Sequence, residues 1–402
     1  MFGTPTQKSF FVLREGFINL NHGSFGATPK EVIEKQKDFI LEAESHPDHW
    51  FRSSYFDYIN ISRKRVADLI EATDVDDIVL VENASAAVND ILRTIPFKKG
   101  DKVLRLSTAY DMCSEVLKWL EHTVGIEQVV VDVAFPYTGP SRLLEDVERT
   151  IAQHGGAIKV ALFSHISSMP TLIEPIHELT KICKQRADKE PCIVLIDGAH
   201  APGVLPVQVE SIGCDFYTGN LHKWTFTPKG CAFLWTSKQG GFQAEASGIQ
   251  PGVISSRGLP SYIDRFAYTG TRDYTAFACI PTAFDFAATS LGGFPAVYAY
   301  NHALVLAAAA YCAELWGTST LVTDPASIGV MMDVILPPAA QNEATLRVIQ
   351  ERLDSEHNIY FVYKKTRVES EVKWFVRLSA QVYLNLDDFK KFAELLLKLL
   401  LL

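Results

Sequence analysis

Two strand ends carry the residues most able to do chemistry. The segment CIVLIDGAHAPG (192–203) runs an apolar strand straight into Asp197, followed by Gly198, Ala199 and His200. The segment GNLHKWTFTPKG (219–230) places Lys223 between His222 and Trp224, just before a second apolar run, CAFLW. A carboxylate at the end of a buried strand is costly unless something cationic meets it. Lys223 follows Asp197 by 26 positions, one strand unit later. A lysine that forms a Schiff base, a carboxylate against a pyridine nitrogen and a nearby anion site are the three things pyridoxal phosphate requires of a protein. On spacing alone, a structural lysine paired with a buried aspartate is the competing reading.

Further polar residues gather at strand ends. VLVENASAAVNDIL (79–92) reads as strand, turn and helix, with Asn83, Ala84 and Ser85 at the turn. Small residues there let backbone N–H groups approach an anion at a helix N-terminus, although a plain N-cap explains them equally well. LSTAYDMC (106–113) puts Tyr110 beyond another strand, where an aromatic face can stack on a flat ring or simply fill a rim. FSHISSMPT (163–171) adds Ser164, His165 and Ser167 at the same edge.

These residues need an open α/β sheet to hold them, since ligands of such sheets bind beyond the carboxyl ends of the strands. Short apolar runs alternate with helical stretches from about residue 77 to 235, the pattern of βα units and a mostly parallel sheet. Seven strands are expected: 78–82, 102–106, 128–133, 159–164, 192–196, 216–218 and 231–235. Helices are expected over 85–94, 112–123, 143–153 and 175–186. The strands read as near-continuous Val, Ile and Leu, as when both faces are covered. Beyond about residue 275 the character changes. A long alanine- and aromatic-rich helix over 276–316 precedes short strands near 330–336, 359–363 and 375–378 and a final helix over 386–401. The expected organisation is an N-terminal arm and helix (1–50), a large domain (51–275) and a smaller α+β C-terminal domain (276–402).

The bulk properties narrow the function. The chain has 402 residues, 48% hydrophobic and 21% charged, with a net charge of −9. That is globular, with no general attraction for nucleic acid or anionic lipid. The N-terminal stretch has no apolar core of signal-peptide length, and hydropathy gives no expectation of a membrane span. Seven cysteines, an odd number with no CxxC pair, point to reduced thiols in a cytoplasmic protein rather than disulfides or zinc.

The blocks LNHGSFGATP, NASAAVNDIL, FSHISSMPTLIEPI, LIDGAHAPG, DFYTGNLHKW, TPKG, GTRDYTA and VRLSAQVYLN run in order from Asn21 to Asn385. Together they resemble the class V aminotransferase family of fold type I pyridoxal phosphate enzymes. Within that family they are similar to the isopenicillin-N-epimerase-like branch, which also holds cysteine desulfhydrases, C–S lyases and a loline-pathway enzyme. The resemblance implies Lys223 as the Schiff-base residue, Asp197 as partner of the pyridine nitrogen, His200 near the ring oxygen and Tyr110 stacked on the ring. It assigns Ala84, Ser85, Asn220 and His222 to the phosphate. Thr271 is assigned to the phosphate of a neighbouring subunit, which implies a homodimer with shared sites. Arg377 is assigned to the substrate α-carboxylate, and Asn21, His22 and Gly23 to a loop that closes over the substrate.

The implied activity acts on an L-amino acid, a small-molecule substrate, through an external aldimine and a quinonoid, with Lys223 as base. β-Elimination by a C–S lyase on a cysteine-derived substrate is the favoured outcome. Epimerisation, a bond-forming cyclisation of an alkaloid pathway and transamination are the alternatives, and a scaffold protein that has lost its chemistry is the non-enzymatic one. Trp50, Phe51, Arg52, Arg257 and Arg265 are candidates to shape a pocket for a larger amino acid. Two departures stand out. NASAAVN has alanine and serine where relatives often carry threonine, which puts more of the phosphate's binding on backbone amides. Cys312 falls in a helical stretch, so the mobile cysteine of a persulfide-forming desulfurase is missing from the expected small domain.

Overall fold

The computed structural model describes residues 2–185, 192–243, 248–256 and 261–401. A short strand, β1 (Ile18–Asn19), precedes the main sheet. That sheet comprises β2 (Ile78–Val81), β3 (Lys102–Leu106), β4 (Glu127–Val131), β5 (Ile158–Ser164), β6 (Ile193–Asp197), β7 (Phe216–Asn220) and β8 (Ala232–Thr236), in the spatial order β2-β8-β7-β6-β5-β3-β4. All seven expected strands are present. Pairing is parallel from β4 through β7, and β8 runs antiparallel to both its neighbours. Every residue of β2, β7 and β8 is buried, the physical reason these strands lack an alternating polar face.

Register matters more than strand number for the site. Ser164 lies opposite Asp197, and Asp197 opposite Thr218, so the carboxyl ends of β5, β6 and β7 stand abreast. The β6 strand includes Asp197 itself and β7 extends to Asn220, each slightly beyond the expected ends. The helix expected over 175–186 spans Ile176–Lys184, and residue 186 lies outside the described residues.

The C-terminal part forms a three-stranded sheet of β9 (Met331–Ile335), β11 (Val362–Val368) and β12 (Glu371–Ser379), in the order β11-β12-β9. A two-residue strand, β10 (Ile359–Tyr360), pairs instead with β1. The single strand expected over 359–363 is therefore split at Phe361 between two sheets. The single helix expected over 276–316 is also divided, into Thr275–Ala278, Ile280–Leu291 and Phe294–Trp316. Gly292 and Gly293 take φ of 74° and 92°, a left-handed break that ends one helix, and Pro295 starts the next.

Hydropathy gave no expectation of a membrane span, yet Phe294–Trp316 is long and apolar enough to cross one. It is alanine-rich, with Val297, Leu304, Val305, Ala308, Cys312 and Trp316 on its buried side. It lies against β9 and the last helix, Leu386–Leu400, with the Trp316 indole donating to the Ala393 carbonyl at 3.2 Å. The leucine-rich tail is that last helix, started by an Asn385–Asp388 capping box.

Candidate active site

The side chains at the carboxyl ends of β5, β6 and β7 enclose a cavity of about 220 Å³. Ala84, Ser85, Tyr110, Asp197, His200, Asn220, His222 and Lys223 all line it. Eight of the residues expected to carry chemistry therefore meet in one place. A larger groove of about 1040 Å³ lies between β4 and the β11–β12 hairpin, but its walls carry exposed charges of both signs and none of the eight.

Lys223 projects from a single helical turn, Leu221–Trp224, directly after β7. Burial lowers its pKa to about 8, although the Asp197 carboxylate pulls it back upward. Its Nζ lies 3.1 Å from Nε2 of His200. The Trp224 indole N–H donates to Nδ1 of the same ring at 3.3 Å. His200 is held neutral by burial, with the Lys223 charge acting in the same direction.

Asp197 is 6% exposed, and burial raises its carboxyl pKa. Its Oδ1 accepts from the Ala199 amide at 3.0 Å, and the Cys113 thiol lies 3.6 Å from Oδ2. Behind it sits Glu174, pushed up to about 8 by burial, which accepts from the Thr108 hydroxyl at 2.7 Å and the Ser164 amide at 2.9 Å. Neither Cys113 nor Glu174 was legible as a site residue, because each comes from an element whose pattern reads as ordinary core.

The anion site is narrower than expected. In the first turn of the helix Ala84–Thr94, the Ala84 amide donates to Asn220 Oδ1 at 2.9 Å. The Ala86 amide donates to Asn83 Oδ1, and the Ala87 amide to the Asn83 carbonyl. Ser85 is left with its amide and hydroxyl unengaged among the described residues. Asn220 thus pins the loop rather than presenting its acceptor to a ligand. His222 Nδ1 lies 2.9 Å from the Cys231 carbonyl oxygen, and burial lowers the ring's pKa to about 4. A carbonyl accepts only, so Nδ1 carries the proton and Nε2 is the free ring nitrogen.

Tyr110 stands at the N-cap of the helix Asp111–Thr123, 41% exposed at the cavity mouth. The N-terminal loop behaves differently from its expected role as a substrate cover. His22 is fully buried, with Nε2 2.8 Å from the Lys223 carbonyl and Nδ1 2.9 Å from the Tyr383 hydroxyl. Gly23 faces Met331 and Ser379, where a Cβ would have no room. Gly26, at φ 69°, lies so close to the His222 carbonyl that any side chain would collide with it. This loop braces the lysine turn from beneath. Its next residues, Ser24 and Phe25, are the ones that reach the cavity.

Arg377, on β12 opposite Asp333 of β9, is 1% exposed and does not line the cavity. Nη1 donates to the Ser168 carbonyl at 3.1 Å and to Ser168 Oγ at 2.9 Å. Nη2 donates to Asn21 Oδ1 at 2.7 Å and Ser24 Oγ at 2.9 Å. Asn21 therefore touches Arg377 and not the cavity. Of the serines after β5, Ser167 turns inward to the Pro170 carbonyl and Ser168 faces the cavity. His165 bonds the Tyr217 hydroxyl at 2.8 Å, away from the site.

The residues proposed to widen the pocket lie elsewhere. Trp50 and Arg265 are core, with Arg265 donating to the Gln243 carbonyl. Arg52 pairs with Asp48 at 2.9 Å on the surface, and Arg257 lies outside the described residues. Thr271 bonds Tyr268 at 2.7 Å in a surface hollow shared with Phe51 and Arg52, apart from the Lys223 cavity of the same chain.

The class V aminotransferase profile matches residues 20–334, and the chain belongs to that family. Putative L-cysteine desulfhydrase 1 of Oryza sativa subsp. japonica is 32% identical over 96% of this chain and 83% of its own length. Hercynylcysteine sulfoxide lyase of Schizosaccharomyces pombe (strain 972 / ATCC 24843) is 27% identical over 97% and 96%. Among solved structures, the cystine C–S lyase C-DES in complex with cysteine persulfide superposes with a TM-score of 0.78 at 17% identity, covering 97% of this chain and 98% of that one.

Proposed function

We propose that the chain is a pyridoxal phosphate-dependent C–S lyase that cleaves the Cβ–S bond of an L-cysteine derivative. The observation that carries the reading is the meeting of a buried amine of lowered pKa, a buried carboxylate and the Ser85 amide and hydroxyl of a helix N-terminus around one small cavity. The relatives named cysteine desulfhydrase and sulfoxide lyase support the same reaction class.

These residues fit the cofactor. Ser85 offers an amide and a hydroxyl to a phosphate at the N-terminus of an eleven-residue helix. Asp197 offers its carboxylate to a protonated ring nitrogen, and each charge offsets the other's burial. Once bound, pyridoxal phosphate supplies an electron-withdrawing ring that acidifies the substrate α-hydrogen. The chain's own groups do the rest. Lys223, with a pKa near working pH, takes the α-proton as its free base. His200 stays uncharged and presents an N–H beside that amine. Arg377, bonded to the cavity-lining Ser24 and Ser168, supplies the positive charge for the substrate carboxylate.

The fate of the sulfur separates this lyase from a persulfide-forming desulfurase. All seven cysteines are buried, Cys312 among them at 0% exposure within a helix. Among them only Cys113 approaches the site, and burial pushes its thiol well above the usual range. With no thiolate at the cavity wall to capture it, the sulfur fragment leaves into solvent.

We read the enzyme as a cytoplasmic homodimer. Seven buried cysteines, none of them in a disulfide, suit a reducing compartment. The position of Thr271 in an exposed hollow away from its own Lys223 suits a contribution to a neighbouring site. Co-expressed Lys223→Ala and Thr271→Ala chains would then recover activity above either parent, because one site in the hybrid is intact; no recovery removes the shared-site reading.

The reaction is tested by incubating the reconstituted protein in D₂O with cysteine, S-substituted cysteines and their sulfoxides. Pyruvate, ammonia and a sulfur fragment are the expected products. Deuterium at Cα without elimination would replace the lyase reading with an epimerase or a bond-forming enzyme, and cofactor converted to its amine form with a 2-oxo acid would replace it with a transaminase.

A further inference from the structure

The Asp197 carboxylate meets two hydrogen-bond donors among the described residues. The Ala199 amide donates to Oδ1 at 3.0 Å, and the Cys113 thiol lies 3.6 Å from Oδ2. The first donor is backbone and comes with the turn itself. The second depends on one side chain from another element. We infer that Cys113 is a positioning residue for Asp197: its S–H donates to Oδ2 and keeps the carboxylate ionised as the partner of a protonated ring nitrogen. The inference rests on the reading of the cavity as the pyridoxal phosphate site, and not on which substrate bond is cleaved.

A carboxylate only accepts, so the thiol is the donor of this pair. Burial and the adjacent Asp197 charge hold Cys113 in its S–H form, the one able to donate. Burial also pushes the Asp197 carboxyl up, toward its neutral form. What opposes burial is the Ala199 amide, the Lys223 charge and the Cys113 thiol. The Lys223 charge disappears whenever that amine acts as a free base. The amide and the thiol then remain. A neutral Asp197 would bond a ring nitrogen as the donor instead, and an unprotonated ring withdraws fewer electrons from the substrate.

The local fold places the thiol. Cys113 is the third residue of the helix Asp111–Thr123 and is 2% exposed, and Tyr110 at the cavity mouth is the N-cap of that helix. Residues three apart are neighbours on a helix surface. The turn that holds Tyr110 at the rim therefore sets Cys113 beneath it, against Asp197. A first-turn position also brings the positive end of the helix toward the carboxylate. Cys113 belongs at the same time to an apolar layer with Val116, Leu117 and Leu195. A thiol suits both neighbours, since it packs as a small hydrophobe and still carries a weak donor.

The competing account makes Cys113 packing alone, in which case an alanine or a serine there leaves the ring unchanged once the chain is folded. Wild type, Cys113→Ala and Cys113→Ser are reconstituted with pyridoxal phosphate labelled with nitrogen-15 in the ring, and the ring signal is followed by NMR. Its position reports whether the ring nitrogen or Asp197 holds the proton. Expected is a movement toward the unprotonated position in Cys113→Ala and a return to the wild-type position in Cys113→Ser. Exchange of the α-hydrogen of L-alanine in D₂O, which needs no leaving group, should fall about three- to tenfold in Cys113→Ala and recover in Cys113→Ser. Should Cys113→Ala not fold, Cys113→Val, which fills the space and donates nothing, takes its place. An unmoved ring signal in a folded variant without the donor overturns the inference, as does a serine variant that fails to restore it. A wild-type protein that captures no cofactor overturns the reading of the cavity and the inference together. A wild-type protein that exchanges L-alanine but eliminates nothing from cysteine derivatives fails the lyase reading alone and leaves the ring signal decisive.

Discussion

His200 is hydrogen-bonded to the side chains of two consecutive residues, accepting from the Trp224 indole at Nδ1 and meeting the Lys223 amine at Nε2. An indole N–H only donates, so Nδ1 is unprotonated and, in a neutral imidazole, Nε2 carries the hydrogen. A hydrogen on Nε2 meets a lone pair on Lys223 favourably and an ammonium poorly. Trp224 therefore favours the free-base lysine through the ring of His200. This adds to the desolvation that already lowers Lys223.

Replacing Trp224 by Phe removes that donor while keeping a ring in the core. His200 can then move its proton to Nδ1 and accept from a lysine ammonium. The apparent pKa of Lys223, followed through the pH dependence of cofactor capture by apoprotein, should rise by about 0.5–1 unit, the size of one net hydrogen bond. An unmoved midpoint would show that Trp224 serves packing alone.

In the wild-type apoprotein, capture of pyridoxal phosphate requires uncharged Lys223. Its folded pKa is depressed from 10.5 to about 8, so the free amine is scarce below that pH and dominant above it. The second-order rate of capture should climb through about pH 8 and level off beyond it. A climb delayed to pH 10 would mean the amine is solvated like any surface lysine. Lys223→Ala should keep its circular dichroism and melting behaviour and lose turnover altogether; retained activity would remove Lys223 from the chemistry.

Asn220→Ala strips the Ala84 amide of its acceptor inside a buried turn. An unsatisfied buried donor costs about 1–3 kcal/mol. That cost falls on the geometry of the loop that presents Ser85. Cofactor affinity, measured by equilibrium dialysis, should weaken on the order of tenfold with little change in melting temperature. Equal affinity would show that Asn220 does not govern the anion site.

Arg377→Ala leaves Ser24, Ser168 and Asn21 without their common donor. KM should rise by on the order of 10- to 100-fold, as for loss of a charge-assisted contact of about 1.5–3 kcal/mol. Arg377→Lys should recover only part, since an ammonium cannot address two serines in a planar fork. A KM at the wild-type value in both variants would move carboxylate recognition to another part of the cavity.

The main sheet and most of the residues that line the candidate cavity were legible because both rest on local signals. Apolar runs ending in Asp197 or turning into Lys223 declare strand ends directly, and strand ends are where such folds bind ligands. What escaped notice depends on tertiary placement. Ser24 and Ser168 are small polar residues beside more conspicuous neighbours, and only docking on β12 brings them together. His22 was assigned to a substrate-covering loop through the family resemblance alone, whereas its ring fills a buried slot under Lys223. Thr271 is legible only through family resemblance, since within one chain it meets no part of the cavity. The helix break at Gly292 was readable in principle, but continuous apolar composition on either side outweighed the glycine pair.

The pairing of β1 with β10 joins Ile18 to Ile359, and Asn21 meets Arg377 just beyond it. A nascent chain that has emerged only as far as residue 300 can fold the main sheet with its lysine and aspartate. It cannot complete the first loop, whose partners Ile359, Arg377 and Tyr383 have not been synthesised. Contacts of such long sequence separation form late. The two halves of the candidate site thus mature at different moments of translation, and the first residues made are among the last to find their place.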